Sequence, residues 1–386
     1  MNASYQILYA LVVVFSLTAT TVADEPDSPN VFRLWDDRTV VPNAKEAKEI
    51  PGIRFSRIKQ REPEIDGYRW LHGVALVRHA GTLFASWGHN RGDENTSTEI
   101  AQARRSKTDG ASWEPVELVS SGGPDHAVSH GVFLSTDRDL WLFCGRFQGK
   151  RKNTVMEAFR LNTATDRWES HGVVARNAFW PMAEPQRMDD GNWIIAGFQV
   201  DPPHAPAVAI SHGESMTHWD VIPIPLTSGL GQIWGESSVI VEGSKLLCIA
   251  RYGEKAVALA SESNDFGRHW SNLRETNLPM APSKPYAGKL STGHRYLIGN
   301  TTRDCGNRRD PLTIALSKPG ETEFSTVKVI RRGKRTESDD PAGTKLAYPY
   351  AKEYDGKLYV GYSVGHLPAN QNHAELAVIP IKELTR

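Results

Sequence analysis

The chain has 386 residues, with 45 lysines and arginines against 45 aspartates and glutamates, so its formal net charge is zero. Its basic residues are dispersed, which argues against nucleic acid as a partner; the densest basic run, Arg331-Arg332-Gly333-Lys334-Arg335, reads as a solvated loop. Three cysteines, Cys144, Cys248 and Cys305, are odd in number and far apart, so they provide no disulfide framework and no metal spacing. Cys144 and Cys248 stand within apolar runs and read as small core residues. No Gly-rich phosphate loop follows a strand and no recognised His/Cys/Asp spacing occurs, so neither a nucleotide cofactor nor a metal is expected.

In chain order, the apolar run from Ile7 to Leu17 followed by Thr21-Val22-Ala23 reads as a signal peptide over residues 1–23, with the mature chain starting near Asp24. The run is short for a transmembrane helix and its flank carries no Lys or Arg. The expectation is a secreted or periplasmic protein, monomeric, with no membrane attachment after signal removal. Residues 24–66 read as a leading segment that helps close a ring, with one short helical candidate around Ala44 to Ile50. Residues 67–386 repeat.

The repeat unit is roughly 50 to 60 residues, in the range of propeller arrays. Six hairpins run through His79-Ala80-Gly81, Asp137-Arg138-Asp139, Asp190-Gly191, Gly243-Ser244, Ser291-Thr292-Gly293 and Asp355-Gly356. Asp-Gly supplies the positive-φ residues that tight turns require. A second signature follows most hairpins. Its clearest copy is Ser263-Asn264-Asp265-Phe266-Gly267-Arg268-His269-Trp270, with a variant at Ser106 to Trp113 whose Asp109 falls one place late, and weaker remnants end at Trp168, Trp219 and Phe324. Asp binds turn amides, Gly takes the strained φ and Trp packs inward, so Asp265 and Asp109 read as structural. The predicted fold is all-β, a six-bladed β-propeller.

The innermost strands of such a ring line its axis. Their starts hold Tyr68-Arg69-Trp70-Leu71-His72, Ser129-His130, Phe179-Trp180, Trp234-Gly235-Glu236, Ser283-Lys284-Pro285-Tyr286 and Ala347-Tyr348-Pro349-Tyr350. Charged and aromatic residues at equivalent places favour a central site. A two-residue turn at Gly243-Ser244 puts Glu242 opposite Lys245, Val239 opposite Cys248 and Glu236 opposite Arg251. A turn at Ala80-Gly81 puts Arg69 opposite Gly92.

These features resemble the sialidase (neuraminidase) superfamily, six-bladed propellers with BNR repeats, or Asp-boxes. Tyr68-Arg69 resembles the family's Y-R-I-P opening, whose Arg starts a triad that binds the sialic acid carboxylate. Arg91-Gly92-Asp93-Glu94 resembles the loop of the general acid. Glu236 and Arg251 resemble the family's Glu and second Arg, and Arg308 to Ser317 the strand of the third, with Arg309 ahead of Arg303 and Arg308. Ala347-Tyr348 resembles the segment of the nucleophilic Tyr. The resemblance implies an exo-glycosidase acting on sialic acid or a related acidic sugar, its ligand an acidic glycan or glycoconjugate. Tyr348 and Glu236 would be the nucleophile pair and Asp93 the acid/base, with Arg69, Arg251 and Arg309 on the carboxylate. A neutral Tyr suits attack beside a substrate carboxylate, and guanidiniums bind that carboxylate in bidentate fashion.

The chain departs from the pattern after Arg69 and after Tyr348, leaving Glu94 as rival to Asp93 and Tyr350 as rival to Tyr348. His72, His130, Trp180, Lys284 and Tyr286 are further candidates for substrate binding and lie outside that pattern. Two alternatives stay open: a polysaccharide lyase acting on uronates, and a propeller that binds glycans without catalysis. Asn95-Thr96-Ser97 and Asn300-Thr301-Thr302 match the glycosylation sequon.

Overall fold

The computed structural model describes residues 31–333, 343–365 and 371–386. The expected signal peptide, and Lys334 and Arg335 of the basic run, lie outside the described residues.

Six antiparallel sheets surround an axis, each built mostly from consecutive strands. The first blade comprises Trp70–His79, Thr82–Asn90, Glu99–Ser106 and Glu117–Ser120, and the second runs from Ala127–Ser135 to Arg167–Ala175. In the third, the inner strand is broken into Phe179–Pro181 and Gln186–Arg187, both paired with Trp193–Gln199. The fourth runs from Ile233–Glu242 to Arg274–Pro279 and the fifth from Tyr286–Lys289 to Phe324–Arg331. The sixth takes Lys345–Tyr354, Lys357–Gly365 and His373–Pro380 from the C-terminal end of the chain.

Its outer strand, Arg54–Lys59, comes from the leading segment and pairs antiparallel with His373–Pro380. This closes the ring. The helix expected around Ala44 to Ile50 is not formed: Lys48–Glu49 instead adds a parallel strand to the outer edge of the fifth blade. That short stretch finds its backbone partners in a neighbour rather than within itself, because a single helical turn is unstable alone.

Each blade packs against a neighbour on both sides, so its inner and middle strands bury both faces: Pro206–Ser211 and Leu312–Ser317 are buried along their whole length. One cluster runs through Leu76, Trp87, Phe133, Phe143, Ile194, Leu259, Ile314 and Tyr359, all buried. Cys144 and Cys248 are fully buried within it and free, as is the buried Cys305 outside it. Asn300 is also buried, its amide donating to the carbonyls of Pro311 and Leu346, so that sequon is closed in the folded chain.

The Asp-box at Ser263 to Trp270 has the expected local structure. Asp265 accepts the His269 amide at 2.9 Å, Ser263 Oγ accepts the Gly267 amide at 3.0 Å, and the Trp270 indole donates to the Gly267 carbonyl at 2.9 Å. Against the cost of lost hydration, the His269 amide and imidazole and the Ser263 hydroxyl hold the Asp265 pKa at about 2. In the first blade the same task falls to Thr108, whose Oγ1 accepts the Ser112 amide at 2.8 Å. The late Asp109 is therefore free to bind Tyr359 Oη at 2.6 Å and Arg78, joining the first blade to the sixth.

Candidate active site

Four inner strands carry a bulge at the same height. The register breaks between His72 and Ala75, Val128 and Gly131, Ile233 and Ser237, and Ala347 and Tyr350. A bulge adds an unpaired residue and re-aims its neighbours. Counted from the restored pairing, Gly73, Gly235 and Tyr348 stand at equivalent places, and all have left-handed backbones, with φ of 70°, 69° and 55°. A Cβ on Gly73 would lie 1.8 Å from the His130 ring, and one on Gly235 would lie 1.9 Å from the His204 carbonyl. Tyr348 takes the same conformation with a side chain, a strain of about 1–3 kcal/mol that characteristically marks functional positions.

The hairpin at Gly243-Ser244 keeps the expected register from Glu242↔Lys245 to Ser237↔Ala250. Glu236 follows, and Arg251 Nη1 donates to its Oε1 at 2.8 Å. Tyr348 Oη donates to the same carboxylate oxygen, and Arg251 Nη1 reaches Tyr348 Oη at 3.4 Å. Glu236 Oε2 and Arg251 Nε have no partner among the described residues. Burial, then the Glu236 charge, pushes the Tyr348 pKa far above its ordinary value, with Arg251 opposing. The phenol is therefore neutral at rest and already bonded to a base.

This cluster lies in a central cavity of about 890 Å³, which His72, Glu94, Arg151, Trp234, Arg309 and Lys345 also line. Arg309, just ahead of the strand Leu312–Ser317, is fixed by a 2.8 Å hydrogen bond to the Pro282 carbonyl. Arg308 reaches the rim but pairs with Asp304, and Arg303 is turned to Asn43.

Arg69 is not in the cavity. The bulge at Gly73 slips the register by one, so Trp70 pairs with Asn90 and Arg69 does not face Gly92. A one-residue slip turns side chains to the opposite face, and Arg69 is exposed. His72 takes the axial place instead, its ring 3.7 Å from that of Tyr348 between centroids. The Asn372 amide donates to the Leu71 carbonyl at 2.7 Å and lies 3.2 Å from His72 Nδ1. That orientation makes Nδ1 an acceptor and leaves the ring proton on Nε2. Burial, then His130 and the nearby guanidiniums, keeps His72 neutral.

The acid loop places Glu94 rather than Asp93 along the cavity. The Asp93 carbonyl is tied back to Asn90 and Thr96, and its side chain is exposed away from the cavity lining. Glu94 is open to solvent on its own surface, but the cavity walls surround its carboxyl and govern its proton. Lost hydration raises its pKa, Arg151 opposes and Glu236 adds to the rise.

Four other candidates serve the scaffold or only border the site. The Trp180 indole donates to His130 Nδ1 and to the His130 carbonyl, both at 3.1 Å, so it is no open stacking platform. His130 is buried beside it, and burial followed by Lys284 lowers its pKa to about 3. Lys284 lies beneath Tyr348, donating to the Pro349 carbonyl at 2.8 Å, with burial lowering its pKa to about 7. Tyr286 is core, its ring 4.8 Å from that of the equally buried Tyr350. Tyr350 is therefore not the cavity's phenol. His204, stacked on Trp234 at 5.8 Å, and Arg151 were not among the sequence candidates, because neither starts an inner strand.

Residues 81–360 match the BNR repeat-like domain. The chain belongs to this family. None of the curated protein sequences matches this BNR-repeat propeller significantly. Among solved structures it is similar to the Hadza microbial sialidase Hz136, with a TM-score of 0.67 and 15% identity over 85% of this chain and 68% of that one. Trypanosoma rangeli sialidase in complex with the inhibitor DANA gives a TM-score of 0.65 and 14% identity over 87% of this chain; the propeller spans 60% of that enzyme's length. A Dyadobacter fermentans protein of unknown function, 15% identical, has a TM-score of 0.65 over 85% of this chain and 99% of its own. These likenesses establish a sialidase-like propeller.

The expected absence of a metal site meets one group among the described residues, His212, His218 and Asp220, whose ligand atoms lie within 4.8 Å of one another. They are exposed on the outer part of the third blade and do not line the cavity.

Proposed function

We propose that this protein is a retaining exo-glycosidase of sialidase type, releasing a terminal acidic sugar from glycans. The observation that carries the reading is Tyr348 Oη on Glu236 Oε1, with Arg251 on the same oxygen, at the base of the cavity. Glu236 takes the phenolic proton as Tyr348 Oη attacks the anomeric carbon. Glu94, whose pKa is raised by lost hydration, gives its proton to the departing glycosidic oxygen. Water then attacks the glycosyl–tyrosine, losing a proton to Glu94, while Glu236 returns the first proton to the leaving phenolate. Arg251 and Arg309 hold the substrate carboxylate, and His72 Nε2–H supplies a neutral donor beside them in the place foreseen for Arg69. Secretion would bring the enzyme to extracellular or periplasmic glycoconjugates.

The test is hydrolysis of a fluorogenic sialoside by the wild type and Tyr348→Phe. Fluorophore release should fall by at least about 10³-fold in the variant, with inhibitor binding retained. A variant near the wild-type rate would remove Tyr348 as nucleophile. Failure of the wild type to release fluorophore, with growing ultraviolet absorbance on a uronate polysaccharide, would replace hydrolysis by elimination.

A further inference from the structure

The charges lining the cavity exceed what one carboxylate requires. Arg251 pairs with Glu236, Arg308 with Asp304 and Arg332 with Glu49, while Arg151 stands against Glu94 and the cavity's Asp310 stands against Arg332 and Arg308. One substrate carboxylate between Arg251 and Arg309 completes the floor. Lys45 and Lys345 remain on the rim, and neither ammonium makes a hydrogen bond or ion pair among the described residues.

Their positions are built. Lys45 lies in the leading segment, where the Ala44 amide donates to Asp304 Oδ1 at 2.7 Å and Arg332 donates to the Ala44 and Ala47 carbonyls at 3.0 and 3.1 Å. The Arg303 amide adds a 3.0 Å bond to the Pro42 carbonyl. Lys345 opens the inner strand of the sixth blade, beside Leu346, whose amide donates to the Arg309 carbonyl at 2.7 Å. Both lysines therefore flank the Arg309 side of the cavity, one from the leading segment and one from the last blade. A cleft lined by unbalanced charge of one sign concentrates ligands of the other.

We propose that Lys45 and Lys345 form a second anion subsite, so that the preferred substrates are glycans bearing a sulfate, or another anionic group, beyond the terminal acidic sugar. The proposal deepens the glycosidase reading and rests on the same cavity holding the glycan. It gives the leading segment a part in specificity as well as in ring closure.

The test is calorimetric binding to the Tyr348→Phe protein of sialyllactose and of the same trisaccharide sulfated on its galactose. The sulfated ligand should bind about tenfold more tightly at low salt, and the preference should shrink as salt screens the lysines. In the Lys45→Ala/Lys345→Ala background, matched in melting temperature, the preference should vanish while affinity for plain sialyllactose changes less than about threefold. Equal affinity for both ligands, or a preference that survives the double substitution, overturns the subsite. If neither trisaccharide binds, the sialic acid reading fails, and unsulfated and sulfated chondroitin disaccharides take their place with the same criteria. A sulfate preference without any turnover by the wild type would overturn hydrolysis and leave the subsite standing.

Discussion

At the scale of single residues, proton chemistry turns on Glu94. Burial raises its pKa and Arg151 is the largest opposing charge. A general acid works only while protonated, so activity falls as pH rises through that pKa. Removing Arg151 takes away a group that lowers it; in Arg151→Ala the alkaline limb of kcat/KM against pH should therefore move to higher pH. A limb that stays in place would exclude Glu94 as the proton donor. Asp93 and Glu94 are adjacent carboxylates in one loop, and residue type cannot separate them. The backbone bonds from the Asp93 carbonyl to Asn90 and Thr96 do so.

At the scale of elements, the inner-strand bulge decides which side chains meet. Simple hairpin counting placed Glu236 beside Arg251 because the pairing runs unbroken from the turn to Ser237. The same counting failed for Arg69, which lies beyond the bulge at Gly73. The composition of a strand start reveals that polar residues gather near an axis; it does not reveal a one-residue slip. Gly73 is required twice over, by its φ of 70° and by the His130 ring where a Cβ would stand. Gly73→Ala should cost about 2–4 kcal/mol, read as a clear drop in melting temperature. An unchanged melting temperature would mean that the bulge rearranges freely.

At the scale of the whole molecule, closure joins the two ends of the described chain. Arg54–Lys59 completes the sixth blade, and Asp109, paired with Arg78 of its own blade, ties the first blade to Tyr359 and Lys357 across the same seam. Asp109→Ala should lower stability by about 1–3 kcal/mol, or several degrees in melting temperature, without altering turnover measured at low temperature. A stable but inactive variant would instead give Asp109 a part in the chemistry. The leading segment contributes to both closure and the cavity rim, and its sequence suggested only the first role. Lys45 has no local pattern that marks it; only the fifth blade's hold on Ala44 brings it there.

The repeat, the turn residues and the Asp-box determined the six-bladed ring from sequence alone, because each rests on local backbone geometry and a fixed period. Within one hairpin they also determined the meeting of Glu236 and Arg251. The remainder of the site joins residues from separate blades: Tyr348 on Glu236, His72 in place of Arg69, Glu94 with Arg151, and Lys45 with Lys345. Contacts of that kind depend on bulges, register and blade docking. Those are settled by packing across the axis, and no stretch of sequence records them by itself.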